Sequence, residues 1–283
     1  MKQSDNEAMK QSGNETMTHP LYQVDAFTSS LFGGNPAAVV PLQTWLPDRT
    51  MQRIARENNL AETAFFVPLD APDTFHIRWF TPVTEVQLCG HATLATAFVV
   101  FNCLKNNVSD RLSFQSRSGW LHVTRSGEML TLDFPTDALK AAELPEPVRA
   151  GLNILPETVL LGREDYLCIY NSEADVLALQ PDFRALKTVS ARGFICTAPG
   201  TQSDFVSRCF FPAFGIDEDP VTGSAHTTLT PYWAERLGRT SLSAIQASER
   251  RGFLQCTLHG DRVLISGQGV LYLEGKIRTN ENF

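Results

Sequence analysis

The chain contains itself twice, and that repeat narrows the possible folds more than any other feature. RWFTP at 78–82 returns as RCFFP at 208–212. GHATLATA at 90–97 returns as GSAHTTLT at 223–230, and GWLHVTRSGEMLTL at 119–132 returns as GFLQCTLHGDRVLI at 252–265, both at one and the same offset. In the last pair both glycines coincide, Trp120 meets Phe253, and Glu128 meets Asp261. Pro47-Asp48 is echoed by Pro181-Asp182 at almost that offset again. Four matches in one order, at nearly one spacing, describe a tandem of two like domains.

Each unit reads in the same order. A strand and a helix come first (VDAF then LPDRTMQRIARENNL; YLCIY then PDFRALK), followed by two strands (TAFFVPL and FHIRWF; GFICTA and DFVSRCF). A glycine-led apolar helix follows, then a strand hairpin with Ser-Gly or His-Gly at its turn. The glycine-led helix is apolar nearly all round, which predicts a helix enclosed by sheet. Residues 1–17 repeat the unit MKQSxNExM, share Met9 between the copies, and are expected to form a flexible polar tail. The N-terminal domain is then 18–134. The C-terminal domain is 135–283, opening on the Pro- and Ala-rich stretch PTDALKAAELPEPVRAG, with its last strand available to pack back on the first domain.

At 283 residues, 43% hydrophobic and 19% charged, the chain has the size and balance for two globular domains. A net charge of −7 argues against a general nucleic-acid binder. No apolar run reaches the roughly 18 to 20 residues of a membrane helix, and the N-terminus has no charged-then-apolar signal pattern. A soluble cytoplasmic protein is expected. The six cysteines form no CxxC pair, so zinc-ribbon and thioredoxin-like readings fail and buried free thiols are expected.

LCGHATLATAFVVF, 88–101, places Cys89, Gly90 and His91 at the start of the first apolar helix. A helix N-terminus carries unsatisfied N–H groups and a positive dipole end, so a small carboxylate held between two such ends is the direct reading. Gly90 and Gly223 would let a ligand approach the backbone, and Thr222 and Ser224 are cap or ligand-bonding types. The plain alternative is two well-capped helices. A metal reading of Cys89 and His91 is weak, because they diverge at a helix start and no second pair lies at ligand spacing. GQGVLY at 267–272 lacks the third glycine of a dinucleotide loop, and no GxxxxGK occurs. No metal and no cofactor are expected.

Glu62 is the only charge in the run NLAETAFFVPL. A carboxyl there would be partly desolvated, with its pKa raised toward that of a working acid/base, unless it sits at a strand edge facing water. His91 reads equally as a capping or core histidine, and Asp219 as a cap before Pro220. Glu218 is expected to be exposed, and Cys89 to be a packed thiol.

VDAFTSSLFGGNPAAVV, ENNLAETAFF, FTPVTEVQLCGHAT and GIDEDPVTGSA together closely resemble the PhzF (phenazine-biosynthesis-like) family of isomerases, from about residue 20 to the C-terminus. The resemblance implies an α+β diaminopimelate epimerase-like fold: two pseudo-symmetric domains, each a mostly antiparallel sheet rolled around a central helix. It also implies proton transfer at carbon without cofactor or metal, in a homodimer. Glu62 would be the acid/base, His91 and Asp219 would line the site, and Gly90 and Gly223 would carry the helix ends that hold the substrate carboxylate. Asn35, Thr222 and Ser224 are further substrate-binding candidates. Two-thiol epimerases of this fold carry a cysteine before each glycine. Here Thr222 stands at the second position, which speaks against symmetric two-thiol racemisation. Ala61 stands where many relatives carry serine, a difference that bears on substrate contacts. The expected function is a cofactor-independent isomerase acting on a small carboxylate. The alternatives are a single-thiol racemase using Cys89, or a protein that binds the carboxylate without turnover.

Overall fold

The computed structural model describes residues 16–104 and 109–280. Most of the expected polar tail, residues 1–15, lies outside the described residues, whereas Thr16 and Met17 begin the first strand. The two units share one order of strand pairing. In the first, Asn35–Pro41 runs parallel to Glu62–Pro68, which pairs antiparallel with Thr74–Phe80. Thr74–Phe80 runs parallel to Arg111–Ser116, and two antiparallel steps then lead through Gly119–Ser126 to Met129–Pro135. In the second, Asp165–Ile169, Gly193–Pro199, Phe205–Phe211, Ser241–Gln246, Gly252–His259 and Arg262–Gly267 pair in the same parallel and antiparallel sequence.

Each parallel pair requires a crossover, and the crossovers are the helices. Gly90–Val99 bridges the second parallel pair of the first unit, and His226–Leu237 does so in the second. Nine of the ten residues of Gly90–Val99 are buried. Its two threonines are tolerated there because their hydroxyls bond back one turn, Thr93 to the Cys89 carbonyl at 2.6 Å and Thr96 to that of Ala92 at 2.7 Å. Among the described residues no helix is long and apolar enough to cross a membrane.

The sheets of the two units are joined into one hydrogen-bonded network. Met129–Pro135 pairs with Arg262–Gly267, and the last strand, Gly269–Asn280, lies antiparallel along the first, Thr16–Ala26. The helix pair at the units' outer faces is less alike than the repeat suggests. Asp48–Asn58 is one helix, whereas its counterpart is split into Glu173–Leu177 and the single turn Phe183–Leu186. Pro181 intervenes, and Asp182 caps the new start by accepting from the amides of Arg184 and Ala185.

Helix His226–Leu237 carries Pro231, whose missing N–H frees the carbonyl of Thr227. The Asp137 amide in the connecting segment donates to that carbonyl at 3.1 Å. The Asp137 carboxylate in turn accepts from the Arg163 amide at 2.9 Å. The proline defect thus becomes the attachment point of the linker.

Candidate active site

The expected residues converge where strands end and core helices start. Glu62 and Asn35 open neighbouring parallel strands, His91 is the second residue of its helix, and Asp219 ends the short strand Ile216–Asp219. All four are at least nine-tenths buried. Asn35 is the junction. Its Nδ2 donates to Asp219 Oδ1 at 2.8 Å and to the Val221 carbonyl at 2.9 Å, and lies 3.3 Å from His91 Nδ1. His91 Nε2 lies 3.2 Å from Glu62 Oε2. The two atoms are out of line for a hydrogen bond, and neither has another partner; Asn35 Oδ1 is also unpartnered. Three buried polar atoms left open in one cluster are unusual in a native core.

Burial, followed by the neighbouring charge of Asp219, raises the Glu62 carboxyl to about 8, against a smaller opposing hydrogen bond from Cys89. Asp219 is raised only to about 6, because burial is opposed by hydrogen bonds from Thr222 and Asn35. Burial lowers His91 to about 3, so the imidazole is neutral. Burial also holds the Cys89 thiol well above its ordinary range. At neutral pH the site therefore contains a protonated Glu62, an ionised Asp219, a neutral imidazole and a neutral thiol. Two carboxyls with separated affinities can divide acid and base roles.

Donor atoms of Glu62, Cys89 and His91 lie within 4.8 Å of one another. Ligation would require the carboxyl and the thiol both to surrender protons that burial holds.

The capping readings of Thr222 and Ser224 and the exposure of Glu218 need correction. Thr222 does not cap the second helix; its hydroxyl donates to Asp219 Oδ2 at 2.5 Å. Ser224 accepts from Arg192 Nη1 at 3.2 Å and lines a separate cavity of about 110 Å³ with Arg163, Asp165 and Arg192. Neither helix start has a side-chain cap, and the second α-helix begins at His226 after a tighter turn from Gly223. The two glycines also face each other. A methyl group on Gly90 would lie 3.4 Å from the Gly223 Cα, and the reverse contact is the same. Two backbones meet here with room for little more than one methyl between them. Glu218, expected to be exposed, is held by Arg208 through two bonds of 2.8 Å, and its repeat mate Glu85 is held by Arg78 in the same way.

Sequence reasoning missed two supports. Arg250 donates to Asp25 at 2.8 Å and to the carbonyls of Gly33 and Gly34 at 2.9 Å, fixing the turn that leads into Asn35. Gln246 is fully buried and bonds the Asp219–Thr222 segment from behind. A signal for it existed: Gln246 shares the inward phase of SLSAIQ with Leu242 and Ala244.

Gly252 and Gly119 are repeat mates with different burdens. A methyl on Gly252 would overlap the Val221 side chain, whereas Gly119 has open space but a φ of 97°. Gly252→Ala is expected to cost about 1–3 kcal/mol through overpacking and to displace the adjoining Thr222. Gly119→Ala is expected to cost about 1–3 kcal/mol through backbone strain and to leave the site intact. Chemical unfolding together with ligand affinity separates the two; equal affinity in both variants would refute the distinction.

Paired parallel-crossover units with buried carboxyls at their junction define an epimerase-like fold. The same fold occurs in a hydroxyproline epimerase from Agrobacterium vitis, with TM-score 0.60, 9% identity and 94% of each chain covered. A profile described as phenazine biosynthesis-like protein matches residues 24–275. The chain is 50% identical to an uncharacterized isomerase of Pseudomonas aeruginosa over 91% of its own length and 98% of the relative's. It superposes on a PhzF-family crystal structure from Enterococcus faecalis with TM-score 0.88, at 47% identity, covering 92% of this chain and 99% of that one. The chain belongs to the PhzC/PhzF phenazine biosynthesis-like family.

Proposed function

We propose that the chain is a cofactor-independent isomerase that moves a proton on a small carboxylate-bearing substrate, with Glu62 as the acid/base. The observation that carries this reading is the buried Glu62 carboxyl, raised to about 8, whose open oxygen faces the open nitrogen of a neutral His91. Ionised Glu62 takes a proton from one carbon. The electron pair left behind shifts into the adjoining unsaturated system, and the protonated carboxyl returns the proton to another carbon. The step is redox-neutral, so its balance needs no electron carrier. Neutral His91 and the ionised Asp219 orient and polarise the substrate. The free amides of the two helix starts hold its carboxylate. Cys89 is a poor base, since burial and the adjacent Glu62 both favour its thiol form.

The test is a thermal-shift screen of aromatic and amino carboxylates, followed by deuterium incorporation from D₂O into each compound that binds. Exchange that survives EDTA is expected. Binding without exchange across the panel would leave a binding protein, and loss on EDTA reversed by a divalent ion would overturn the metal-free reading. If the first step is proton removal by Glu62, kcat/KM should climb about tenfold per pH unit below the Glu62 value of about 8 and then level. A flat profile from pH 6 to 9 would exclude Glu62 as the initial base.

A further inference from the structure

We propose that Gln246 is a positioning residue that keeps Asp219 as the ionised member of the buried carboxyl pair, by directing the Thr222 hydroxyl proton onto it. Gln246 ends the strand Ser241–Gln246 and has no solvent exposure. Its Oε1 accepts from the Thr222 amide at 2.7 Å, and its Nε2 donates to the Asp219 carbonyl at 2.8 Å. The same Nε2 lies 3.2 Å from Thr222 Oγ1 and donates to it. With a donor already on that oxygen, the Thr222 proton turns outward to its acceptors, of which Asp219 Oδ2 at 2.5 Å is the nearer and the Cys209 sulfur is the weaker. Asn35 donates to Oδ1. Both oxygens of Asp219 are therefore acceptors, the arrangement that stabilises a carboxylate against its neutral form.

The internal repeat supplies an independent observation. Gln246 lies opposite Gly252 in its hairpin, and in the other unit Ser116 lies opposite Gly119. Ser116 spends its hydroxyl on the Gly119 carbonyl. Asp219 lies opposite Cys209, and its counterpart opposite Trp79 is Val86. The amide and the carboxylate thus occur together in one unit and are both missing from the other. An amide serving only to close the hairpin would have no reason to follow the carboxylate.

The groups facing Asp219 come from several elements. Glu62 and Cys89 belong to the first unit, with His91 reached through Asn35; Cys209, Glu218 and Arg192 belong to the second. Arg192 favours the carboxylate and Glu218 opposes it, while desolvation is the largest influence. Gln246 carries no charge, so its effect on Asp219 has to act through Thr222 and the main chain.

The proposal rests on the isomerase reading only in treating Asp219 as part of the site, and its test needs no turnover. Side-chain carboxyl ¹³C NMR of the whole chain, with signals assigned through Glu62→Gln and Asp219→Asn, follows both carboxyls in titration. In Gln246→Met, which keeps an unbranched chain of similar length, the Asp219 midpoint is expected to rise by at least one unit, a tenfold gain in proton affinity. The Glu62 midpoint should hold or fall, because its neighbour stays neutral longer. Loosened packing alone would admit water and lower both midpoints, and that result, or an unchanged Asp219, overturns the proposal. If Gln246→Met does not fold, Thr222→Val decides: a rise at Asp219 supports the relay, and no rise overturns it. A protein that exchanges no carboxylate but shows these shifts would lose the isomerase reading and keep this one.

Discussion

Glu62→Gln is expected to lower deuterium exchange by about 10² to 10⁴, the range for one general acid/base group, and to make the protein more stable at pH 7. Glutamine copies the shape of the neutral carboxyl and cannot ionise. Burial, then the Asp219 charge, moves wild-type Glu62 from 4.5 to about 8 in the folded chain. The unfolded chain therefore releases this proton first as pH rises. The contribution of Glu62 to stability is fully present below pH 4.5, falls through the interval up to about 8, and is flat beyond. Over the interval from 4.5 to 7, this linkage is on the order of 3 kcal/mol. The variant escapes that loss, so the two proteins should match near pH 4 and diverge toward pH 8. Urea unfolding at pH 4, 7 and 8 reads the difference, and D₂O exchange reads the activity. Near-wild-type exchange removes Glu62 from the mechanism. Equal stability at all three pH values would mean that Glu62 titrates as if in water.

Much of this site was legible because its parts are local or repeated. The run NLAETAFFVPL isolates one charge among apolar residues, and that charge is buried as Glu62. The offset shared by the helix and hairpin repeats pairs Gly90 with Gly223, and the two meet in space. Gly127-Glu128 and Gly260-Asp261, each following the last paired residue Ser126 or His259, form two-residue hairpin loops, with φ of 59° and 61° at the glycines. What could not be read depends on side chains meeting across long separations. Arg250 and Asp25 are 225 residues apart, and neither shows a periodicity that points to the other. Thr222 has the composition of a cap and the position of one, yet a carboxylate three residues back competes successfully for its hydroxyl. Pairing of Met129–Pro135 with Arg262–Gly267 joins the halves through the same strand of each repeat, a contact no alternation pattern can specify. Glu218 misleads for a related reason: its partner Arg208 lies on the next strand, and a lone glutamate before Asp219 looks solvent-facing.

The two glycines at the helix starts separate a ligand role from a packing role, and substitutions there should act on the unliganded protein. Neither has a positive φ, so backbone freedom is not what they supply. A single methyl at Gly90 or Gly223 would rest 3.4 Å from the opposite Cα, close to the contact distance of about 3.5–4.0 Å between carbon atoms. Gly90→Ala and Gly223→Ala should each fold with little change. The double alanine variant should be worse than the two added together, because both methyls compete for the same gap and neighbouring sites couple. Valine adds branches where there is no room. Gly90→Val and Gly223→Val are each expected to cost about 1–3 kcal/mol by overpacking, and to push the helix starts apart. The separation would move the free amides of both helices and tilt His91 away from Glu62, now 3.2 Å distant, so carboxylate affinity and exchange should fall as well. The measurement is thermal unfolding without ligand, alongside affinity for a compound from the carboxylate panel. Weakened binding with an unchanged melting temperature in the apo protein would show that the glycines serve only ligand approach, and that the backbone contact between the two halves contributes little.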